Sequence, residues 1–154
     1  MPVRPASLDD FGEVCSLIRE LAAYERMADQ VSWDEEGLAD RLFGPDAVPR
    51  IHLAVTGAGE VAGFALWFPT FSTFLGRPGI WLEDLFVREA HRGQGHGRAL
   101  LDHLRAATGG RVEWNVLDWN RPAMAFYDSL GAAPVPGWTR YRWLPAPGEQ
   151  PHPA

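Results

Sequence analysis

Apolar residues recur at spacings of three and four along residues 8–22. This spacing is typical of a helix that lays one apolar face on a flat surface. Ser7 precedes the repeat, and the carboxylate of Asp10 follows three residues later, which is the pattern of a capping box at a helix start. We therefore predict a first helix that reaches about Arg26.

Three short apolar runs follow. Residues 51–56 and 61–68 flank a glycine-rich turn, which predicts two antiparallel strands of a hairpin. Residues 69–79 contain turn formers and are predicted to be a loop. Residues 80–87 are apolar except for Glu83 and Asp84, so we predict a strand covered on both faces.

The order of the remaining elements sets the fold class. The same criteria predict a strand at residues 3–6, helices at 34–42, 96–107 and 122–130, a strand at 111–116, and one or two strands within 134–144. Together these elements predict an α/β fold: a mixed central β-sheet flanked by helices on both faces, in a single domain over residues 1–145. Residues 146–154 are proline-rich, and we expect a mobile tail there.

The charged residues exclude several classes of protein. All fourteen basic residues are arginines, so the lysine-dependent chemistry of P-loop enzymes, protein kinases and Schiff-base enzymes is excluded. Acidic residues outnumber basic ones, giving a formal net charge of -6. This charge opposes binding to nucleic acids and to anionic membranes, so we expect neither partner.

Cysteine, histidine and serine residues narrow the choice further. Cys15 is the single cysteine, and no signal-peptide core follows Met1, so we expect a reducing, cytoplasmic environment. No apolar run approaches the ~20 residues of a membrane helix. The histidine spacing matches no metal site, and no serine lies in a G-x-S-x-G motif, so we expect neither a metal nor a serine hydrolase.

A glycine-rich loop between the strand at 80–87 and the next helix carries the clearest chemistry. Glycines allow consecutive backbone N–H groups to converge on phosphate oxygens, and the following helix adds positive potential. A glycine-rich helix start without a ligand is the alternative. The predicted anion-binding residues are Arg92, Gly93, Gln94, Gly95, His96, Gly97 and Arg98.

The pattern Arg92-x-x-Gly95-x-Gly97 resembles the R/Q-x-x-G-x-G/A signature of the GNAT superfamily of N-acetyltransferases. Further blocks resemble its spermidine/spermine branch, which includes enzymes that acetylate thialysine and related diamines. These blocks are residues 21–27 with 30–31, then 82–87, 118–122, 126–127 and 131–132, and the resemblance covers nearly the whole chain except the tail.

The resemblance implies direct attack of an amine on acetyl-CoA in a ternary complex. It implies Glu83 as catalytic base or substrate anchor and Tyr127 as the acid that protonates the CoA thiolate. It also implies a homodimer. The acetyl-CoA contacts that it implies, beyond the glycine-rich loop and Tyr127, are Leu85, Phe86, Val87, Asn120, Arg121, Pro122 and Ala123.

Amine chemistry is compatible with these roles. A primary amine has a pKa near ~10.4, so a carboxylate that accepts its proton at neutral pH lowers the barrier. An ion pair with an arginine is the alternative role for Glu83, and core packing is the alternative for Tyr127. We also expect Asn120 to cap the last helix.

Acidic and aromatic residues correspond to, or lie beside, the amine-binding positions of the branch. They are Tyr24, Glu25, Glu83, Asp84, Glu113 and Trp119. Two positions depart from it, because polyamine-acetylating members carry Asp where Ser72 aligns and Glu where Pro136 aligns. A shorter amine, such as thialysine or a small diamine, is therefore as plausible an acceptor as spermidine. Two other functions stay open: a non-catalytic acyl-CoA-binding module, and an enzyme acting on protein or peptide amines.

Overall fold

The computed structural model describes residues 2–146, and these residues divide into two compact units. The first unit extends to Trp114, and the second begins at Asn115. Residues 147–154, most of the predicted tail, lie outside the described residues.

The first unit is built on a five-stranded sheet with the strand order β1-β2-β3-β4-β5. Neighbouring strands are antiparallel except for β4 and β5, which are parallel, so the sheet is mixed. The strands are β1 (Val3–Pro5), β2 (Arg50–Val55), β3 (Val61–Ser72), β4 (Arg77–Val87) and β5 (Val112–Glu113), and the helices of this unit are α1 (Phe11–Tyr24), α2 (Glu35–Phe43) and α3 (His96–Ala106).

Helix α1 packs on one face of the sheet through the apolar repeat seen in the sequence. Val14 and Leu17 are fully buried, in one cluster with Leu53, Phe64 and Phe86. The predicted capping box is confirmed, because the backbone N–H of Ser7 donates to Asp10 Oδ2 at 2.8 Å. A short 3-10 turn, Leu8–Asp10, precedes α1, and the α-helix ends at Tyr24, two residues earlier than predicted.

Helix α3 covers the opposite face. Leu100 and Leu104 are fully buried, and the ring of His103 lies 4.3 Å from the ring of His52 on β2. His52 alternates with Ile51 and Leu53, which face α1, so helices cover both faces of the sheet. The predicted fold class is confirmed.

The β3–β4 hairpin is longer than the sequence predicted. The prediction of a loop over residues 69–79 was wrong, because Pro69 pairs with Ile80 and the ladder continues to Ser72 and Arg77. Pro69 lacks only the backbone N–H donor, and the β-forming residues after it continue the strand. The turn closes through Gly76, whose φ of +63° is in the left-handed region.

A β-bulge interrupts the ladder between β3 and β4. Leu66 lies opposite Asp84 and Trp67 lies opposite Leu82, so Glu83 is an extra residue in β4. The extra residue shifts the alternation of side chains by one. As a result Asp84, which follows the bulge, and Trp81, which precedes it, share the face of the sheet that packs against α1.

Strand β5 is shorter than predicted. A strand was expected over residues 111–116, but only Val112 and Glu113 pair with β4. Their partners, Ile80 and Trp81, lie just before the bulge at Glu83. The pairing ends there because the bulge bends β4.

In the second unit, helix α4 spans Arg121–Ser129, close to the predicted 122–130. The prediction of one or two strands within residues 134–144 was wrong, since the structure assigns no strand to any of them. Two prolines in this segment, Pro134 and Pro136, remove backbone donors. Gly137 also has a φ of +89°, which lies outside the range of regular strands.

Candidate functional site

The glycine-rich loop connects the end of β4 to the start of α3. A 3-10 turn, Glu89–His91, leads into Gly93 and Gly95, whose φ angles are +72° and +89°. Gly95 is the N-terminal cap of α3. An L-residue with a side chain adopts such φ angles at a cost of about 1–2 kcal/mol, so the loop depends on these glycines.

The backbone of this loop fits an anionic group. Within residues 2–146, no backbone carbonyl accepts from the N–H groups of Gly93, Gln94 or Gly95. The first N–H groups of α3 follow directly, and a helix start carries positive potential. A Cβ on Gly93 would meet no atom within 4 Å, so space in front of the loop is open. These features suit the binding of a phosphate-bearing ligand.

Side chains of the loop are held in different ways. His96 is buried with 3% of its surface exposed, and burial lowers the pKa of its imidazole. Arg98 pairs with Asp102 one turn along α3, at 3.5 Å. Both side chains of that pair are largely exposed, so Arg98 is free to turn toward another anion at small cost.

Arg92 connects the loop to α1 and β4. Its Nε donates to the carbonyl oxygen of Val87 at 2.8 Å. Its guanidinium lies over the ring of Tyr24, 4.9 Å from the centroid, and 5.6 Å from the centroid of Phe86. The rings of Tyr24 and Phe86 are themselves 6.3 Å apart. Arg92 therefore holds the glycine-rich loop against the C-terminal end of α1.

Three carboxylates lie near the C-terminal end of α1: those of Glu25, Glu83 and Asp84. Burial and the charge of Glu83 raise the pKa of Glu25, which follows the last residue of α1. Burial, Glu83 and Glu25 together raise the pKa of Asp84 to about 7. Glu83 itself is exposed, and its Oε2 accepts from the Trp81 indole N–H at 2.9 Å.

These carboxylates repel one another, so a cation between them is favourable. A bound ammonium group would favour the ionised form of Asp84 and lower its pKa again. A carboxyl group with a pKa near neutrality is also matched to proton transfer at the pH of the cell. The bulge is the reason that Glu83 and Asp84 lie together with Glu25, because regular alternation would separate the two β4 carboxylates.

Replacing Asp84 with asparagine should stabilise the protein at high pH. The pKa of Asp84 is raised from 3.8 in the unfolded chain to about 7 in the folded chain. Its stabilising, protonated form is therefore lost progressively as the pH rises through that interval. We expect the stability gain of Asp84→Asn over wild type to be about 2 kcal/mol larger at pH 8 than at pH 5.

Urea unfolding of both proteins at the two pH values measures this gain. Asp29→Asn is the matched control, because Asp29 is exposed in the short turn after α1. A gain that is equal at pH 5 and pH 8 would contradict the assigned role of ionisation.

The edge of β4 beyond the bulge is open toward β5. The β4–β5 ladder ends at the pair Trp81–Glu113, and the part of the chain that is described adds no later pair. The backbone of Leu85, Phe86 and Val87 pairs with β3 on the other edge. Backbone groups at such an opening are suited to pair with an extended chain or with a developing oxyanion.

Glu113 is not part of the carboxylate cluster. Its Oε1 lies 3.6 Å from the Nε of Arg111, and both residues line a pocket with Arg77 near the turn of the β3–β4 hairpin. The sequence analysis missed both arginines. They carry no motif, and only the extended hairpin and the register of β5 bring them together.

The other predicted site residues lie in the second unit. Asn120 is buried, and its Oδ1 accepts from the backbone N–H of Ala123 at 3.3 Å, which confirms the predicted helix cap. Arg121 and Pro122 form the first turn of α4 with Ala123. Tyr127 lies on α4, and its ring is 5.6 Å from that of Phe126. Trp119 precedes the helix and is 40% exposed.

Residues 2–146 contain no group of three or more His, Cys, Asp or Glu side chains arranged to hold a metal ion. None of their helices combines the length and the hydropathy of a membrane span.

Comparisons with known proteins give matches that cover most of the chain. The sequence profile of the acetyltransferase (GNAT) family matches residues 16–132. The chain is 36% identical to the thialysine N-epsilon-acetyltransferase of Bos taurus, and the alignment covers 92% of this chain and 91% of the relative. It is 29% identical to the L-ornithine N5-acetyltransferase of Arabidopsis thaliana, over 88% of this chain and 81% of that relative.

A solved structure has a similar fold. An integron cassette protein from the mobile metagenome of V. cholerae superposes with a TM-score of 0.74 at 25% sequence identity. The superposition covers 94% of this chain and 93% of that protein.

Proposed function

Because the chain belongs to the acetyltransferase (GNAT) family and is an N-acetyltransferase, we propose that it acetylates a primary amine of a small cationic molecule. The similarity that the sequence showed to the GNAT superfamily and to its thialysine and polyamine branch is confirmed. Relatives are named for thialysine and for ornithine, which both carry a side-chain amine. We propose an acceptor of this kind, or a small diamine or polyamine.

The observation that carries this proposal is the cluster of Glu25, Glu83 and Asp84 at the bulge of β4. A cluster with two raised carboxyl pKa values attracts a cation. Tyr24, whose ring is close to that of Phe86, adds an aromatic face that favours an ammonium group. The cluster and the glycine-rich loop lie at opposite ends of the last few residues of β4.

We propose that acetyl-CoA is the acetyl donor. The glycine-rich loop, with Arg92 and Arg98 beside it, would hold the pyrophosphate through backbone N–H groups. The edge formed by Leu85, Phe86 and Val87 would bind the pantetheine arm and stabilise the oxyanion. Four residues of the second unit are also proposed to bind acetyl-CoA: Asn120, Arg121, Pro122 and Ala123.

Proton transfers are assigned to two residues. We propose that Glu83, exposed and oriented by the Trp81 indole, accepts a proton from the ammonium group of the acceptor, either directly or through water. The free amine then attacks the carbonyl carbon of the thioester. Asp84 and Glu25 would hold the ammonium group while this occurs. Tyr127 would protonate the departing thiolate as charge develops on its sulfur.

We also propose that residues 1–145 form one GNAT domain and that two copies of the chain form a homodimer. Trp138, Tyr141 and Trp143 are 83%, 91% and 99% exposed, and such surfaces are commonly covered by a partner. A monomeric mass in light scattering would contradict the dimer.

The buried, unpaired thiol of Cys15 supports a cytoplasmic location, which cell fractionation tests.

The experiment that tests the function measures release of the CoA thiol from acetyl-CoA at about pH 8, where more of the amine is unprotonated. The panel contains thialysine, lysine, ornithine, putrescine, spermidine and a basic peptide. We expect release with one or more of the small amines. Binding of acetyl-CoA without release would instead support a non-catalytic module. Release with the peptide alone would support an enzyme that acts on protein amines.

A further inference from the structure

The guanidinium group of Arg92 occupies an aromatic surface next to the carboxylate cluster. Its Cζ lies 4.9 Å from the ring centroid of Tyr24 and 5.6 Å from that of Phe86. A cation within about 6 Å of a ring centroid is attracted by the face of the ring. Tyr24 is the last residue of α1 and directly precedes Glu25 of the cluster. The ring that is proposed to receive the ammonium group of the acceptor therefore already holds a cation.

Few other contacts hold the guanidinium in this position. In the part of the chain that the structure describes, Arg92 donates one hydrogen bond, from Nε to the carbonyl oxygen of Val87 at 2.8 Å, and it pairs with no carboxylate. Its Nη1 and Nη2 atoms therefore keep their donors for a further partner. Arg92 is exposed, and a contact between a cation and a ring is weak at an exposed site.

The phosphate site proposed at the glycine-rich loop lies on the other side of the sheet from this aromatic surface. Phe86 belongs to the apolar cluster that faces α1, whereas Gly95 caps α3, which covers the opposite face. A guanidinium that lies over Tyr24 is thus turned away from an anion at the N-terminus of α3. Charge-assisted hydrogen bonds to a phosphate are stronger than an exposed contact with a ring, so a bound phosphate draws Arg92 off Tyr24.

Two cations compete for the ring of Tyr24. The guanidinium of Arg92 and the ammonium group of an acceptor are attracted by the same aromatic face, and their like charges repel each other. While Arg92 covers this face, an acceptor that contacts it must displace the guanidinium. An acceptor that arrives after Arg92 has turned away meets the uncovered ring, so it binds more tightly.

We propose that Arg92 couples the two substrate sites. Without acetyl-CoA its guanidinium covers Tyr24, and with acetyl-CoA it turns to the pyrophosphate and leaves the ring to the ammonium group of the acceptor. Acetyl-CoA therefore raises the affinity for the amine, and the amine raises the affinity for acetyl-CoA by the same factor. This inference rests on the proposed acetyltransferase function and adds a coupling between its two substrates.

A double-mutant cycle with CoA tests the role of Arg92 without an acceptor. CoA carries the same pyrophosphate as acetyl-CoA and has no acetyl group to transfer. In the wild type, CoA must break the contact between Arg92 and Tyr24, so Tyr24→Leu should bind CoA more tightly by about two- to fivefold, the equivalent of that contact. In the Arg92→Gln background the contact is already absent, so Tyr24→Leu should leave CoA affinity unchanged. Isothermal calorimetry measures all four proteins.

Two further variants are the matched controls. Tyr24→Phe keeps the ring, so it should bind CoA with the affinity of the wild type. Arg19→Gln removes a guanidinium that lies over the ring of Trp33, at 4.5 Å from its centroid. That contact is of the same kind and lies outside the glycine-rich loop, so its loss should also leave CoA affinity unchanged. Circular dichroism verifies that each variant is folded.

The affinity for an amine provides a second measurement of the coupling. We expect thialysine to bind the wild-type protein about two- to fivefold more tightly with saturating CoA than without it. In Arg92→Gln the two affinities should be equal, because no guanidinium covers Tyr24 in either state.

The outcomes separate this inference from the function on which it rests. An equal effect of Tyr24→Leu in both backgrounds, or weaker binding of CoA by Tyr24→Leu, would overturn the coupling even if amines are acetylated. Equal affinities of the wild type for thialysine with and without CoA would also overturn it. Failure of every amine in the panel to release the CoA thiol would overturn the proposed function, whereas the expected cycle with CoA would still support the movement of Arg92.

Discussion

Gly95→Val should weaken the binding of acetyl-CoA by about 10²-fold, through loss of charge-assisted hydrogen bonds from the loop. Gly95 has a φ of +89° and caps α3, so a β-branched residue there forces the loop into another conformation. The N–H groups of Gly93, Gln94 and Gly95 would then no longer point to one place. Isothermal calorimetry with acetyl-CoA measures the loss.

A second glycine supplies the matched control. Gly59 has a φ of +87° in the turn between β2 and β3, and a Cβ there would meet no atom within 4 Å. Gly59→Val therefore introduces the same kind of backbone strain at a position that lies outside the glycine-rich loop. It should lower the melting temperature as much as Gly95→Val while leaving acetyl-CoA affinity within about twofold. If both variants lost affinity equally, general strain would explain the effect.

Local sequence patterns predicted the helices and strands that depend on local signals. The repeat over residues 8–22 identified α1, because one helix face buries a continuous apolar cluster against the sheet. The end of the β3–β4 hairpin was missed, because residues 69–79 were predicted to be a loop, whereas Pro69 lies within the ladder. Its pairing with Ile80 depends on where the missing donor falls in the ladder, and the sequence does not contain that information.

The sequence predicted the residue types of the candidate site but not how these residues are arranged. Two adjacent carboxylates in an apolar strand predicted a functional position, which stays a prediction. In the structure, burial raises the pKa of Asp84. However, adjacent strand residues normally face opposite sides of a sheet. Glu83 and Asp84 lie together because of a bulge, and a bulge follows from the register of two strands rather than from either strand alone.

The contacts of Glu113 were also not predicted from the sequence. It was predicted to bind the acceptor as one acidic residue among several, yet it pairs with Arg111 beside Arg77. Two segments that are distant in the sequence, residues 70–79 and 111–113, meet at that pocket, and neither arginine belongs to a motif. Long-range contacts of this kind depend on the register of strands that lie far apart in the sequence, so the surroundings of Glu113 were not accessible to sequence reasoning.

Tyr127→Phe should lower kcat by about 10²-fold or more, the usual scale for loss of a general acid. The affinity for acetyl-CoA should stay within about twofold, because the change removes one hydroxyl group and keeps the ring that packs beside Phe126. Steady-state kinetics with a saturating amine and calorimetry with acetyl-CoA measure the two quantities separately.

Tyr141→Phe is the matched control for that variant. Tyr141 lies in the same unit, on the surface proposed to contact a partner subunit. Phenylalanine keeps the ring at that surface, so removing the hydroxyl should leave kcat unchanged. The pH dependence then distinguishes an acid from a structural residue. If Tyr127 donates the proton, the wild-type rate falls at high pH as the phenol ionises, and the low residual rate of Tyr127→Phe does not. Wild-type turnover in Tyr127→Phe, or a parallel alkaline decline in both proteins, would remove Tyr127 from the mechanism.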